Sequence, residues 1–527
     1  MIETSSWRWR VAPFVSAILF WLAFPPVACY PLVFVAMIPL LMYLQRPDRS
    51  RSRLCSVFAA GFLFHLAGFF WIHHVTTMGL LLLAAYASLY WVGFAGLAAS
   101  WRDSAGSPGW PFRMAAAWTV LEHVRGTALS GIPWLLTGHA LAGSSLLSQI
   151  ADLGGVSAPT FLAALVNTAL VQAGWCSSEA AARRGNVLPR RVAMILLLFS
   201  ASYGLWRVRD VDAATSAGPD VLLVQGNVEQ SVKKAGLHWG KIHAIYANAT
   251  RDAIRQSGLP EIVIWPETMH PAIPVTRVAP GERDPLGFAR MAPTRAVVGA
   301  LLYEPGGAGR QWNSALALDS QGAVTGRYDK THLVPVGEYF PFRAWPFWET
   351  LVKTFTALDR VPDLEAGTAL RPLEVGEWFL GALICYECAF ADIARAQVTS
   401  GAQILVNLSN EAWYRDSAEL DQMLAMSRFR CIETRTGMAR ATNSGISAIL
   451  DPVGRIVGVI EDEHGRQKEV AGTLRGRVPV GPRNSLYLVM GEWLAAAAAL
   501  SLALDWAYRI WRHRSSRLSG ASRTRGA

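Results

Sequence analysis

Long apolar stretches alternate with short basic ones in the first part of the chain and return near its end. A helix needs about 20 mostly apolar residues to cross a bilayer. Stretches near this length predict eight membrane helices, at 11–27, 28–45, 55–75, 78–100, 109–125, 156–175, 191–207 and 487–509. The fifth contains Glu122 and Arg125, so either these side chains face other helices or the helix leaves the membrane at Glu122.

The pattern changes between residues 208 and 486. Short β-rich runs such as "EIVIWPE", "GALICYE" and "QILVNLSN" alternate with helical stretches such as "HWGKIHAIYANATRDAIRQ". Strands buried on both faces between helices predict layered α/β packing. We therefore expect a transmembrane domain at 1–207, one α/β domain at 208–486, an eighth membrane helix at 487–510 and a disordered basic tail at 511–527.

The placement of charged residues predicts how these helices are oriented across the membrane. The net charge is +10, but the arginines cluster at 8–10, 46–53, 183–191 and 509–525. Arginine-rich loops beside apolar stretches stay in the cytoplasm. With the amino terminus inside, eight crossings place every cluster in the cytoplasm and residues 208–486 outside, in a bacterial periplasm. This distribution speaks against a nucleic-acid partner. The six cysteines have neither zinc-site spacing nor disulfide density, and no metal is predicted.

Three motifs bring reactive side chains to predicted strand ends. "IVIWPET" carries Glu267, "GRYDKTHLVPVGEYFP" carries Lys330 and Glu338, and "ALICYE" carries Cys385. Open α/β sheets hold their sites where strands give way to loops. These positions are therefore candidates for one active site.

The chemistry of such a set is coherent. A thiol attacks as its thiolate, and a nearby cation such as Lys330 would lower its pKa and stabilise an oxyanion. Glu267 could take the thiol proton and return it to a leaving group, and the Tyr386 N–H could be a second oxyanion donor. Each residue also has an ordinary alternative: a solvated carboxylate, a surface ion pair with Asp329, or an inert buried thiol. Spacing alone does not decide between them.

Together, "WPET", "DKTHLVPVGEYFPFR" and "ICYE" resemble the nitrilase superfamily, whose members carry a Glu-Lys-Cys triad on an αββα sandwich. The eight apolar stretches and "SGIPWLLTGHAL" at 130–141 resemble its membrane-bound branch, the apolipoprotein N-acyltransferases, over essentially the whole chain. The resemblance implies an α/β fold, with an αββα nitrilase-like periplasmic domain on an eight-helix transmembrane domain. It also implies a monomer in the bacterial inner membrane that needs no cofactor.

The resemblance assigns roles to particular residues. They are Glu267, Lys330 and Cys385 as the catalytic triad, Glu338, Tyr386 and Glu387 as supporting residues, and Trp239 and Trp413 as lipid contacts. Trp413 lies in "SNEAWYRDS", which resembles a mobile loop, and could equally pack under that loop. Asn410-Glu411 departs there from the family's usual Asn-Asp. Cys388 is expected to be a packed thiol and not a redox partner of Cys385.

The implied reaction is a two-step acyl transfer. Cys385 takes an acyl group from a membrane phospholipid, typically phosphatidylethanolamine, as a thioester. The α-amino group of the diacylglyceryl cysteine of an apolipoprotein then accepts it, which completes lipoprotein maturation. Two alternatives stay open. A membrane-tethered amidase or nitrilase would release ammonia from a small substrate, and a non-catalytic lipid carrier would tolerate Cys385→Ala.

Overall fold

Helices form the amino-terminal part of the protein and return at its carboxyl end. The structure, a computed structural model, describes residues 9–46, 51–174, 187–229, 239–279, 282–306, 309–339, 350 and 363–523. The α-helices before the sheets are α1 (Ala12–Ala23), α2 (Ile38–Gln45), α3 (Arg51–Gly68), α4 (Thr77–Ser100), α5 (Trp110–Thr127), α6 (Ala151–Gly154), α7 (Ser157–Gln172) and α8 (Val187–Ala214). Short 3-10 helices lie between them, at Tyr30–Phe34, Phe70–His74, Arg102–Ser104, Thr137–Gly143 and Leu147–Ile150.

Every predicted apolar stretch contains a helix, but the helices differ in length and polarity. Among the described residues, α4 and α8 are long and apolar enough to cross a membrane, and the apolar helices Ala12–Ala23 and Tyr30–Gln45 are shorter. The full count of eight crossings therefore stays a prediction. Helix α8 continues to Ala214 before the first strand begins.

Aromatic side chains hold the helical domain together. The Phe20 and Trp118 rings stack with centroids 5.7 Å apart, and Trp91 meets both edge-on. Gly61 allows this approach, because a Cβ there would lie 3.1 Å from the Trp91 ring. Interlocking rings of this kind bury much apolar area in a defined geometry.

The middle of the chain forms two six-stranded sheets. The strands are β1 (Ser216–Gln225), β2 (Ile262–Pro274), β3 (Arg295–Tyr303), β4 (Gln311–Leu318), β5 (Val324–Asp329), β6 (Leu373–Val375), β7 (Trp378–Ile384), β8 (Ile404–Ser409), β9 (Met438–Thr442), β10 (Ala448–Leu450), β11 (Ile456–Val459) and β12 (Gly472–Val480). Their orders are β12-β1-β2-β3-β4-β5 and β11-β10-β9-β8-β7-β6. Strands β1, β2 and β3 are parallel, as are β7, β8 and β9. Parallel strands bring their carboxyl ends to one edge of a sheet.

The remaining described helices lie between the strands or after them. They are α9 (Trp239–Ser257), α10 (Ala391–Thr399), α11 (Ala418–Thr434), α12 (Leu486–Met490) and α13 (Trp493–Arg523), with 3-10 helices at Val275–Val278, Cys385–Ala389 and Glu411–Trp413. Residues such as Ile264 and Ile384 meet in the core between the sheets. Helix α9 covers the outer face of the first sheet. Helices α10 and α11 cover the second and share one core with the helical domain. The α/β sandwich prediction is confirmed.

Some expectations for these elements were wrong in detail. Strand β2 does not end at Glu267 but continues, after a register irregularity, to Pro274. Helix α13 runs to Arg523, so residues 511–523 are helical and not a disordered tail. Strands β5 and β11 escaped sequence analysis because they are short and half-exposed, which leaves no apolar run to recognise.

Candidate active site

Glu267 lies where β2 loses its register. Pairing with β3 skips from Trp265 to His270, and Thr268 has a left-handed φ of +52°. Because of this irregularity, Glu267 does not pair with β3, and its side chain points into the domain. Its carboxylate accepts hydrogen bonds from Asn313 Nδ2 (2.6 Å) and from the backbone N–H of Asn410 (2.9 Å). Because Asn410 follows β8, Glu267 links the two sheets.

Lys330 follows β5 directly, and its side chain is only 1% exposed. Its Nζ lies 2.9 Å from Glu338 and 3.7 Å from Glu267. Burial is the largest influence on the Lys330 pKa and lowers it, but the two carboxylates together outweigh burial and raise the pKa. Lys330 is therefore a buried cation held between two carboxylates.

Asn313 completes this charged cluster and was missed by sequence analysis. Its Nδ2 donates to Glu267 and, at 3.0 Å, to Glu338, while its backbone carbonyl accepts the Lys330 N–H at 2.8 Å. Glu338 also accepts a hydrogen bond from the backbone N–H of Val334 at 2.8 Å. The only signal in the sequence was a polar residue in the buried run "WNSALALD".

Cys385 follows β7 and opens the 3-10 helix Cys385–Ala389. Its φ is +52°, a left-handed conformation that costs energy for any residue with a Cβ. A sharp, strained strand-to-helix turn pushes the side chain out of the sheet, and the thiol is half-buried. Strain of this kind is typical of functional positions.

Burial and two neighbouring charges set the pKa of the Cys385 thiol. Burial raises the pKa of its thiol well above the usual value, the Glu267 charge raises it further, and the Lys330 ammonium acts in the opposite direction. Lys330 therefore lowers the thiol pKa as expected, but burial and the Glu267 charge outweigh its effect. The resting thiol keeps its proton, so attack requires a base.

Glu387 joins the two catalytic turns. It is fully buried, and its Oε1 accepts hydrogen bonds from Thr331 N (2.7 Å), Thr331 Oγ1 (2.8 Å) and Tyr328 Oη (2.8 Å). Its Oε2 accepts the N–H of Ile384 at 2.7 Å. Burial raises the pKa of Glu387, and these donors lower it. Glu387 thus fixes the turn after Lys330 against the turn that carries Cys385.

Tyr386 connects the site to the helical domain. Its hydroxyl donates to the Gly131 carbonyl at 3.0 Å, and its ring stacks on Trp134 with centroids 5.9 Å apart. Trp134 contacts Trp71 at 5.6 Å, and the indole N–H groups of both donate to Gln422 Oε1. The 130–141 motif is therefore part of the site's surroundings. Trp71 was missed, because nothing near it in sequence indicates this contact.

The other predicted lipid contacts have different outcomes. Trp239 is the first residue of α9, but its side chain lies outside the described part of the structure. Trp413 is half-buried at the end of the 3-10 helix Glu411–Trp413, so its role stays a prediction. Glu411 is fully buried and forms an ion pair with Arg440. Cys388 is a buried free thiol 3.1 Å from Ser427 Oγ, which confirms the packed reading.

Two known protein families match parts of this chain. The carbon-nitrogen hydrolase family matches residues 223–467, and the apolipoprotein N-acyltransferase N-terminal domain matches residues 16–169. A solved structure of a mutant nitrilase-superfamily amidase from Nesterenkonia AN1 aligns with 52% of this chain and 94% of that one, at 19% identity and a TM-score of 0.35.

Full-length relatives extend the match to both domains. The apolipoprotein N-acyltransferase of Geobacter metallireducens is 32% identical over 511 residues, covering 93% of each chain. That of Vibrio vulnificus is 30% identical over 540 residues, covering 95% of this chain and 96% of the relative. The fold and the matched domain define an acyltransferase built on a carbon-nitrogen hydrolase domain. The chain belongs to the apolipoprotein N-acyltransferase family.

Proposed function

We propose that this protein is a multi-pass enzyme of the bacterial inner membrane that N-acylates apolipoproteins from a phospholipid, through a thioester on Cys385. The observation that carries the proposal is the convergence of three groups. A strained, half-buried thiol lies within the electrostatic reach of the Glu267 carboxylate and the Lys330 ammonium. A base, an oxyanion-stabilising cation and a nucleophile are what acyl transfer through a thiol requires.

In the first half-reaction, Glu267 takes the proton from Cys385 as the sulfur attacks an ester carbonyl of the phospholipid. The Sγ–C bond forms, and the Lys330 ammonium and the Tyr386 N–H hold the oxyanion. As the ester C–O bond breaks, Glu267 returns the proton to the leaving alkoxide. A lysophospholipid departs and the acyl group remains on Cys385.

In the second half-reaction, the free α-amino group of a diacylglyceryl cysteine attacks the thioester. A C–N bond forms, the C–S bond breaks, and Glu267 transfers the amine's proton to the departing thiolate. Here the raised pKa of Cys385 favours the protonated thiol as leaving group. Eight membrane helices would hold this domain at the periplasmic surface, where both lipid-anchored substrates lie, and an apolar surrounding would protect the thioester from water.

Intact mass spectrometry tests the proposal. The purified full-length protein is incubated with phosphatidylethanolamine vesicles, beside the Cys385→Ala variant and a matched Cys388→Ala control. We expect wild type and the control to gain one acyl mass that hydroxylamine removes, and Cys385→Ala to gain none. An adduct on Cys385→Ala, or none on wild type with lipid present, would show that the acyl-enzyme proposal is wrong.

A further inference from the structure

A buried asparagine follows the strand next to the two that lead into the site. Strands β7, β8 and β9 are parallel neighbours, so the residues after them lie at one edge of the second sheet. These residues are Cys385, Asn410 and Asn443. The first is the nucleophile and the second donates to Glu267, which leaves Asn443 without an assigned role.

The side chain of Asn443 is fully buried and fully bonded. Its Nδ2 donates to Asn410 Oδ1 at 3.0 Å and to the Val228 carbonyl at 2.7 Å. Its Oδ1 accepts hydrogen bonds from the Val228 N–H and the Tyr246 hydroxyl, both at 2.9 Å. A carboxamide offers two N–H donors and two acceptor lone pairs. All four are engaged, so these bonds fix the orientation of the side chain.

The backbone of Asn443 is bonded on both sides as well. Its N–H donates to the Ser409 carbonyl at 3.0 Å, and its carbonyl accepts the N–H of Asn227 at 2.8 Å. Ser409 ends β8 in the second sheet, and Asn227 follows β1 of the first sheet. Asn443 therefore joins strand ends of both sheets.

Tyr246 anchors this network on α9. It is fully buried, and its hydroxyl accepts the N–H of Gly226 at 3.1 Å. The close approach requires a glycine, because a Cβ at residue 226 would lie 2.6 Å from the Tyr246 ring. Burial raises the pKa of the Tyr246 phenol, so the hydroxyl keeps the proton that it donates to Asn443.

A single residue separates this network from the proposed base. Asn410 donates its backbone N–H to Glu267 at 2.9 Å, and its side chain is held by Asn443. The position of the carboxylate therefore depends on Asn443 through Asn410. A general base must lie within hydrogen-bond reach of the proton that it takes, so a small displacement of Glu267 is enough to slow proton transfer.

We propose that Asn443 is a positioning residue for the base: it fixes Asn410 against the turn after β1 and against α9, and thereby holds Glu267 at the geometry for proton transfer. The inference rests on the proposed function, because Glu267 is the base of that reaction. Asn443 acts through Asn410 and Glu267, so its loss should slow the chemical step and leave lipid binding unchanged.

Single-turnover formation of the thioester tests the proposal. Full-length wild type and Asn443→Ala are mixed with phosphatidylethanolamine vesicles over a range of lipid concentrations, and the acylated fraction is followed by intact mass. We expect the rate at saturating lipid to fall about tenfold, and the lipid concentration at half-maximal rate to change by less than about twofold.

Tyr246→Phe is a milder variant of the same network. It removes one hydroxyl but keeps the bond between Asn443 and Asn410, so the rate at saturating lipid should fall only about threefold. If Asn443→Ala does not fold, Tyr246→Phe decides the matter, and an unchanged rate in this variant would overturn the proposal.

Alkylation of Cys385 separates a displaced base from a damaged site. Iodoacetamide reacts with the thiolate and does not need a general base in the reaction itself. Asn443→Ala keeps the charge of Glu267, so labelling of Cys385 should stay within about twofold of wild type while thioester formation falls. A site that had lost its structure would change both rates.

The matched control is Asn167→Ala. Asn167 is also fully buried, and its side chain forms three hydrogen bonds within the helical domain, with Val33, Met37 and Ala163. Its loss should lower the temperature of thermal unfolding, as should the loss of Asn443, but should not slow thioester formation at saturating lipid.

The remaining outcomes distinguish this proposal from the proposed function. If Asn443→Ala forms the thioester as fast as wild type, or loses labelling in the same proportion, the positioning role is wrong while the acyl-enzyme stands. A change only in the half-maximal lipid concentration also overturns it and would assign Asn443 to lipid binding. No thioester on wild type would reject the proposed function and, with it, this role of Asn443.

Discussion

The two sheets of the sandwich both carry catalytic candidates, but their outer faces pack against different parts of the protein. The first sheet carries Glu267 and Lys330, and its outer face is covered by α9 in a core of its own. The second sheet carries Cys385, and its outer face shares one continuous core with the helical domain. The charged pair is therefore fixed within the α/β domain, whereas the nucleophile depends on both domains.

Specific bonds reinforce this difference. The cation is positioned by Glu338, Glu267 and the backbone of Asn313, all within the α/β domain. The turn that carries Cys385 is anchored through the Tyr386 hydroxyl to Gly131 of the helical domain. Changes to the first set should slow the chemistry with little effect on domain docking, and changes to the second should affect both.

The largest effect is expected from Lys330→Ala. Without the ammonium, the buried Glu267 and the partly buried Glu338 lose the cation that lies between them. Loss of the oxyanion-stabilising cation should slow thioester formation about 1000-fold. Intact mass against time measures this, with Lys468→Ala as control, since Lys468 pairs with Asp421 at 2.6 Å at a more exposed site. A rate within tenfold of wild type would contradict the role.

Among changes at the domain interface, substitution of Asp152 should be the most destabilising. This buried carboxylate accepts bonds from Arg207, Tyr203 and Arg435, so it links α8 to the end of α11. Asp152→Asn leaves the fully buried Arg435 guanidinium without its counter-charge, whereas Arg207 keeps the carboxylate of Asp210. The free energy of unfolding should fall by about 3–5 kcal/mol.

Thermal unfolding in detergent checks the Asp152 prediction, together with proteolysis between the domains. Asp462→Asn is the control, because Asp462 pairs with the exposed Arg466 and should change stability little. If Asp152→Asn unfolds like wild type, this network is not what holds the domains together.

A third prediction concerns the proton on Cys385. Its pKa is raised by burial and then by Glu267, so iodoacetamide should label it slowly near neutral pH and faster well above pH 8.5, the ordinary thiol pKa being about 8.5. Because the folded pKa exceeds the unfolded one, this group's stabilisation is complete below about pH 8.5 and is lost as pH rises.

Glu267→Gln separates the two roles of that carboxylate. Removing its charge should shift the labelling curve of Cys385 to lower pH, while thioester formation slows strongly for lack of a base. Peptide mass spectrometry measures the labelling, with buried Cys388 in the same digest as reference. An unchanged labelling curve would mean that Glu267 does not influence the thiol.

The same contrast explains what the sequence could predict. Periodicity located the helices and the long buried strands, and the three motifs singled out Glu267, Lys330 and Cys385. The roles of Asn313 and Asn410 as hydrogen-bond donors to Glu267 were not predicted, because these bonds join residues far apart in sequence. The lowering effect of Lys330 on the thiol pKa was predicted correctly, but the net rise depends on burial and on a sum of opposing charges that only the folded site defines.

The smallest effect tests the anchor of the nucleophile itself. Tyr386→Phe removes the hydroxyl that donates to Gly131 but keeps the ring that stacks on Trp134. One hydrogen bond is worth about 1 kcal/mol, so thioester formation should slow about fivefold. Tyr386→Ala also removes the stacked ring and should slow the reaction further. Equal rates for Phe and Ala would show that the hydroxyl alone positions the turn, while an unchanged rate for both would mean that Cys385 needs no support from the helical domain.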